Sequence, residues 1–440
     1  MRWARVFYEG LCLGARAYAQ WDITTSRRIL RDRRRLAVLA LLLVPVALGG
    51  FAFAAEVEEA LPALLGSKQA YGPAHYTTTI FVASAAVGIV AGLITGCIGA
   101  GGGFIIAPAL MSAGVKGILA VGTDLFHIFA KAIMGSVLHR KLGNISASLA
   151  GTFLVGSIAG ATLGGWVNRT LYETNPVLSD AFITTIYVLI LGFLGFYGMS
   201  DWFRTRKAAA GAAAPAAGGK KKRAAEDMTG LARRLQAVSL PPMLRFDQGV
   251  VPGGRRISAV FLVLSGAVVG LAAAIMGVGG GFLTFPIFVY VLGVSSATTV
   301  GTDIFQIVFT AGYAGIGQYA VYGFIFYTLA MGMLLGSLVG IQVGTLVTKV
   351  VPGSTIRGFY ALAVMSAFAN RVFALPRKLV SLEVLPIPGG VAKTVEEVGM
   401  YIFFVVLGTF AVWVFWTFFS SIRTLKGEAE PEYGVPEVET

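Results

Sequence analysis

Charge is what this 440-residue chain has least of: 13% of its residues are Asp, Glu, Lys or Arg, about half of the ~25% that a water-facing domain carries. That shortage excludes an ordinary soluble protein, whatever number of domains the length suggests. Cysteine is nearly missing too. Cys12 and Cys97 cannot build a disulfide framework or a zinc site. Three histidines (His75, His127 and His139), with no HExxH or CxxC, leave no metal signature. No nucleophile–base pair stands out, so the chain reads as no enzyme and implies no cofactor.

Apolar sequence fills the space that charge vacates. Hydrophobic residues make up 56% of the chain, and the mean hydropathy is +0.76. The formal charge of +13 is local. Residues 1–35 hold nine arginines against three acids, and 200–256 hold twelve Lys/Arg against four; together they exceed the net charge of the whole chain. The remainder is apolar and nearly neutral, which excludes a nucleic-acid-binding surface despite Lys220-Lys221-Lys222-Arg223. The expected class is an all-α polytopic membrane protein in contact with the lipid bilayer. Its two basic segments are expected in the cytoplasm by the positive-inside rule.

The first apolar run, residues 36–55, is long enough for about 30 Å of helix. Arg27, Arg28, Arg31, Arg33, Arg34 and Arg35 precede it, and Glu56, Glu58 and Glu59 follow. An uncleaved anchor is the expectation; a cleaved signal peptide, with Ala52-Phe53-Ala54 as its small-residue site, is the rival. Further runs cover 79–98, 103–114, 117–138, 148–167, 181–199, 257–276, 281–294, 297–320, 325–347, 357–375 and 400–420. Those at 103–114 and 281–294 are short and each follows a glycine cluster, so they read as re-entrant half-helices.

The chain repeats itself. Gly99-Ala-Gly-Gly-Gly-Phe104 and Pro108 recur as Gly277-Val-Gly-Gly-Gly-Phe282 and Pro286. Val121-Gly-Thr-Asp124 recurs as Val300-Gly-Thr-Asp303, and Gly156-Ser157, Gly160 and Gly164 recur as Gly336-Ser337, Gly340 and Gly344. The implied organisation is a basic leader, anchor and outer loop (1–78), a repeat (79–199) and a basic low-complexity linker (200–256). A second repeat (257–375) is followed by an outer loop, a last transmembrane helix and an acidic tail (376–440). If each glycine cluster returns the chain to the side it came from, the repeats are inverted, as in many secondary transporters. The 371–393 loop then falls outside against the charge rule, with Arg371, Arg377, Lys378 and Lys393.

Glycine runs inside a membrane leave backbone groups that lipid cannot satisfy, so Gly101, Gly102, Gly103, Gly279, Gly280 and Gly281 either pack against protein or line a wet site. Half-helix N-termini at such a site attract an anion. Asp124 and Asp303, each after a threonine (Thr123 and Thr302), are intramembrane carboxylates and so functional candidates; the competing reading is a helix N-cap. His127 and Lys131 share a helical face with Asp124, and Gln306 and Thr310 share one with Asp303. The acid, imidazole and ammonium of the first half suit an anionic substrate with proton coupling; an internal Asp124–Lys131 ion pair is the alternative. The glycine ladders read as close helix contacts.

Through the doubled GxGGGF-x3-P, each copy with a downstream Gly-Thr-polar element, the sequence resembles the sulfite exporter TauE/SafE family of permeases. The likeness covers about 79–375. It implies an inner-membrane permease of two repeats that moves sulfite, sulfonates or related small sulfur-containing anions, with the proton gradient as a driving force. Asp stands here where members of that family often carry Ser. Two added carboxylates repel a dianion unless protonated or paired, so a channel or a permease for cations or other organic anions stays open beside the sulfur-anion reading.

Overall fold

The computed structural model describes residues 78–98, 102–141, 145–211, 230–247, 254–348, 350–351 and 353–421. The 36–55 run, Gly101 and the Lys220–Arg223 cluster lie outside them, so the anchor-or-signal question does too. Twelve helices and one small hairpin make up the described chain. In the first half these are α1 (Thr78–Ile98), α2 (Gly103–Ser112), α3 (Gly117–Lys141), α4 (Ala147–Thr174) and α5 (Pro176–Gly211). The linker holds α6 (Gly230–Ala237) and the antiparallel strands β1 (Met243–Phe246) and β2 (Arg255–Ser258). The second half has α7 (Ala259–Met276), α8 (Gly281–Pro286) running on as π-helix to Val291, and α9 (Ser296–Gly312), which also continues as π-helix, to Tyr319. It ends with α10 (Tyr327–Val347) and α11 (Gly353–Ser381), after which comes α12 (Gly389–Ser420). The linker that reads as low-complexity thus holds three ordered elements, and α11 continues through Pro376, past the edge drawn at 375.

The chain is an all-α polytopic membrane protein. Six of the described helices are long and apolar enough to cross a membrane: α4, α5, α7, α10, α11 and α12. The two short apolar runs are short helices, as their glycine clusters imply: α2 has 10 residues and α8 has 6 before its π extension. Helices α3 and α9 fall outside the six. Both carry polar residues on the turns that follow their Thr-Asp pairs, and α9 has 17 residues before it widens.

The glycine ladders set the packing, and they work across the halves. Helix α4 of the first half lies against α7 of the second, and α1 of the first against α10 of the second. A methyl group added at Gly156 would stand 1.8 Å from the Val263 carbonyl oxygen, and at Gly160 2.0 Å from that of Ala267. The other pair is equally tight: at Gly336 the distance to the Ala85 oxygen is 2.0 Å, and at Gly340 to the Ile89 oxygen 2.2 Å. The facing helices contribute glycines of their own, Gly266 and Gly270 on α7, Gly88 and Gly92 on α1. Backbone therefore meets backbone along both seams, the small-residue packing that membrane helices use where burial of apolar surface gives no drive.

The basic stretch expected as a loop at 371–393 is mostly helix: Arg371, Arg377 and Lys378 lie on α11 and Lys393 on α12, with residues 382–388 between them. Arg377 pairs with Glu396 at 2.5 Å, Lys378 with Asp180 at 3.4 Å and Lys393 with Glu397 at 3.7 Å. Arg371 is buried and donates to the Pro108 carbonyl at 3.1 Å and to the Ser112 hydroxyl at 2.6 Å, covering the C-terminal end of α2.

Alanine in a helix interior normally beats glycine by about 0.5–1 kcal/mol. Here Gly156→Ala and Gly336→Ala are each expected to lower stability by about 1–3 kcal/mol, because the methyl overlaps backbone that cannot step aside. Gly151→Ala, with open space around the new methyl, should be neutral or stabilising. Thermal unfolding of the three variants in one detergent decides it.

Candidate functional site

The two glycine breaks meet. A Cβ on Gly103 would lie 3.0 Å from Cα of Val278 and 2.8 Å from the Ile128 side chain, and one on Gly279 would lie 2.7 Å from that same side chain. Ile128 of α3 thus sits between the breaks of the two halves. Each half-helix starts from a glycine in the left-handed region, Gly102 at φ 67° for α2 and Gly280 at φ 87° for α8. Side chains with a Cβ disfavour that conformation, so the glycines are needed for the reversal itself.

A helix that stops inside protein leaves carbonyls without partners. At the end of α7 other elements supply them. Tyr319 donates its hydroxyl to the Ala274 carbonyl at 2.5 Å, and the Asn168 amide reaches Ala274 at 3.3 Å and Ile275 at 3.1 Å. The Tyr187 hydroxyl donates to the Met276 carbonyl. None of these three stood out in the sequence, because the partner carbonyls lie between 45 and 107 residues away.

Around the junction, each half contributes a carboxylate. Asp124 lies in the interior of α3, which begins at Gly117, and Asp303 lies in the interior of α9, whose N-cap is Ser295. Neither is an N-cap, so that reading fails. Asp303 stands beside the first residue of α8: a Cβ on Gly281 would be 3.1 Å from its Oδ2. Placed there, the carboxylate faces the positive end of a half-helix. Gln306 donates to Asp303 Oδ1 at 2.9 Å, Thr310 donates to Gln306 Oε1 at 2.7 Å, and the Thr310 and Ser157 hydroxyls are 2.9 Å apart.

The first half answers with different chemistry in the same arrangement. Asp124 Oδ1 is 3.5 Å from His127 Nδ1, and His127 Nε2 is 2.7 Å from the Ser337 hydroxyl. Asp124 and His127 are both fully buried. Asp124 is directed toward the Ala107 backbone of α2, yet neither of its oxygens, nor His127 Nδ1, is in hydrogen-bond geometry with a partner among the described residues. Lys131, one turn beyond His127, donates to the Thr95 hydroxyl at 3.3 Å. Thr95 is 2.8 Å from where a Cβ on Gly102 would stand, so the ammonium is held next to the first break.

The bonding partners are exchanged between the halves. His127 of α3 reaches Ser337 of α10, and Thr310 of α9 reaches Ser157 of α4. Ser157 and Ser337 are the serines of the repeated glycine ladders. Their repetition was visible in the sequence, but helix packing alone explained it there. Thr123 and Thr302 have a comparable exchange: the Thr123 hydroxyl accepts from the Phe326 amide at the start of α10 at 2.9 Å, and Thr302 from the Ser146 amide at the start of α4 at 3.0 Å. Gly102, Gly103, Asp124, His127, Lys131 and Gly279 are therefore gathered at or beside the first break and the junction. Gly280, Gly281, Asp303 and Gln306 line the second half-helix. Thr123 and Thr302 spend their hydroxyls on neighbouring helix starts. Among the described residues no cluster of His, Cys, Asp and Glu could hold a metal ion.

The family model for the sulfite exporter TauE/SafE matches residues 84–370, the stretch that contains both breaks and both carboxylates. The chain belongs to the TauE/SafE family. Two relatives from Bacillus subtilis (strain 168) resemble it. The "Probable membrane transporter protein YjnA" is 24% identical over 264 residues, 59% of this chain and 87% of the relative. The "Probable membrane transporter protein YunE" is 31% identical over 108 residues, 24% of this chain and 38% of the relative. No solved structure matches the chain. As a TauE/SafE member, it is a multi-pass membrane transporter of the sulfite exporter kind.

Thr123→Val and Thr302→Val each remove the acceptor for a helix-start amide while keeping the volume. Each is expected to cost about 1–3 kcal/mol, the penalty of a buried N–H left without a partner, and Ser at the same positions should recover most of it. Thermal denaturation of the four variants checks this; unchanged midpoints for both valines would contradict the assignment.

Proposed function

We propose that the protein is a secondary transporter that carries a small sulfur-containing anion, sulfite or an organosulfonate, with proton coupling, through the junction of the two glycine breaks. It sits in the inner membrane with its N-terminus and the 200–256 segment in the cytoplasm and its two repeats inverted. The observation that carries the reading is the composition of the first break: an ammonium (Lys131 on Thr95) beside the start of a half-helix, next to a buried carboxylate–imidazole pair. Lys131 and the α2 amides supply positive potential for an anion. Asp124 and His127 are groups whose protonation changes their charge, and Asp124 in its protonated form would no longer repel the cargo. Asp303, held by Gln306, forms the counterpart in the other half.

One observation favours a second reading. Both oxygens of Asp124 retain acceptor capacity, which suits a cation bound on the carboxylate in a channel-like or cation-handling permease. The two readings part in proteoliposomes. The anion reading expects sulfite or alkanesulfonate uptake well above protein-free vesicles, stimulated by a proton gradient and abolished by a proton ionophore. It expects Lys131→Ala to cut that flux at least tenfold. No sulfite or sulfonate flux above the protein-free background would overturn it, and ionophore-insensitive cation flux lost in Asp124→Asn would establish the alternative.

A further inference from the structure

Away from the junction, between α1, α2, α10 and α12, lies a cavity of about 330 Å³. Its wall is made by Ala83 and Ser84 of α1, Ala109 and Leu110 of α2, Leu329 of α10 and Leu407 of α12, with no ionisable side chain among the lining residues. Ser84 donates its hydroxyl to the Phe81 carbonyl of its own helix at 2.7 Å, so it offers no donor to the cavity. The volume is about twice the ~150 Å³ of an engineered apolar cavity that stays dry and takes up benzene.

The internal repeat says what normally fills this place. The glycine motifs align Ala83 with Phe261, Ala109 with Ile287 and Leu110 with Phe288. In the second half those larger residues belong to one compact apolar cluster, closed from outside by Phe246 and Ile257 of the hairpin. There, the chain's own side chains occupy the volume. The first half has Ala83, Ala109 and Leu110 instead, and among the described residues its cover is α12. Among the described residues that cover is incomplete: a side chain added at Gly408 would meet nothing within 4 Å, and Phe404 on the same rim is 38% exposed. Val405 and Val412 of α12 are exposed as well, in a helix whose composition suits a bilayer, so the cavity sits beside hydrocarbon.

We propose that this cavity is a binding site for one acyl chain of a bilayer phospholipid, which enters past Gly408 and takes the place that Phe261, Ile287 and the hairpin fill in the other half. The occupant is a lipid chain rather than a soluble ligand because the wall has no group to fix a polar molecule and the opening lies on the flank of a membrane-spanning helix. An acyl chain seated there presses on Ala109 and Leu110 of α2, the half-helix that starts at the first break. Lipid and the proposed transport site thereby share one short helix, whatever the cargo is.

The full-length protein in proteoliposomes doped with a phosphatidylcholine carrying a diazirine midway along one chain tests this. After photolysis and peptide mapping, adducts are expected on Ile105, Ala109 or Leu110 of α2, all nearly inaccessible to solvent, as well as on exposed α12 residues. In the double variant Ala83→Phe with Ala109→Ile, which imports the residues of the second half, the α2 adducts should fall at least fivefold while those at Val412 and Trp416 are unchanged. Adducts in the native chain confined to exposed faces would overturn the proposal, as would α2 adducts that persist in a folded double variant. Should the double variant fail to fold, the native-chain map decides alone.

Discussion

A helix interrupted inside a membrane must find partners within the protein for every backbone group it frees, because lipid provides none. This chain interrupts two, and most of its distinctive structure follows from meeting that demand. Tyr319, Asn168 and Tyr187 converge on the last carbonyls of α7. Arg371 covers the far end of α2. Glycines in the left-handed region turn the backbone at the start of both half-helices. The polar side chains that line the junction are, in large part, the residue of that same requirement.

The second consequence is that neither half is self-sufficient. Each long glycine-ladder helix packs on a helix of the other half, and each Thr-Asp helix bonds to the other half twice, through a threonine at a helix start and through a polar chain ending on a ladder serine. The two frames agree in geometry and differ in chemistry. An Asp–Gln–Thr–Ser chain in one half contains a single ionisable group; the Asp–His pair of the other, with Lys131 one turn on, contains three. A scaffold with two equivalent cradles and one titratable cluster has a natural place for a charge-carrying step.

Much of this was legible in the sequence because it is local or periodic. The doubled glycine motif gave away both breaks, low charge and long apolar runs gave the all-α membrane class, and the i, i+3, i+7 spacing put Asp124, His127 and Lys131 on one face. What stayed hidden depends on contacts across the chain. Thr123 meets Phe326 over 203 positions and Thr302 meets Ser146 over 156, so nothing near either threonine announces its partner. The N-cap reading of the aspartates failed because α3 starts a full two turns before Asp124. The basic stretch 371–393 read as one loop because its helix edges are not visible in the sequence: Arg371, Arg377 and Lys378 belong to α11 and Lys393 to α12, with residues 382–388 between them. The ordered hairpin in the linker was masked by the Ala/Gly-rich stretch that precedes it.

The proposed cargo site is the meeting point of the two breaks. Val278 lies at that point, and Val278→Cys in a chain whose Cys12 and Cys97 are replaced by serine puts a small reporter there. The rate at which a water-soluble methanethiosulfonate reagent labels that thiol, with and without a transported alkanesulfonate, is the most direct measurement. Labelling is expected to proceed in the active transporter and to be slowed several-fold by the anion. Labelling indifferent to an anion that the same preparation transports would contradict that site.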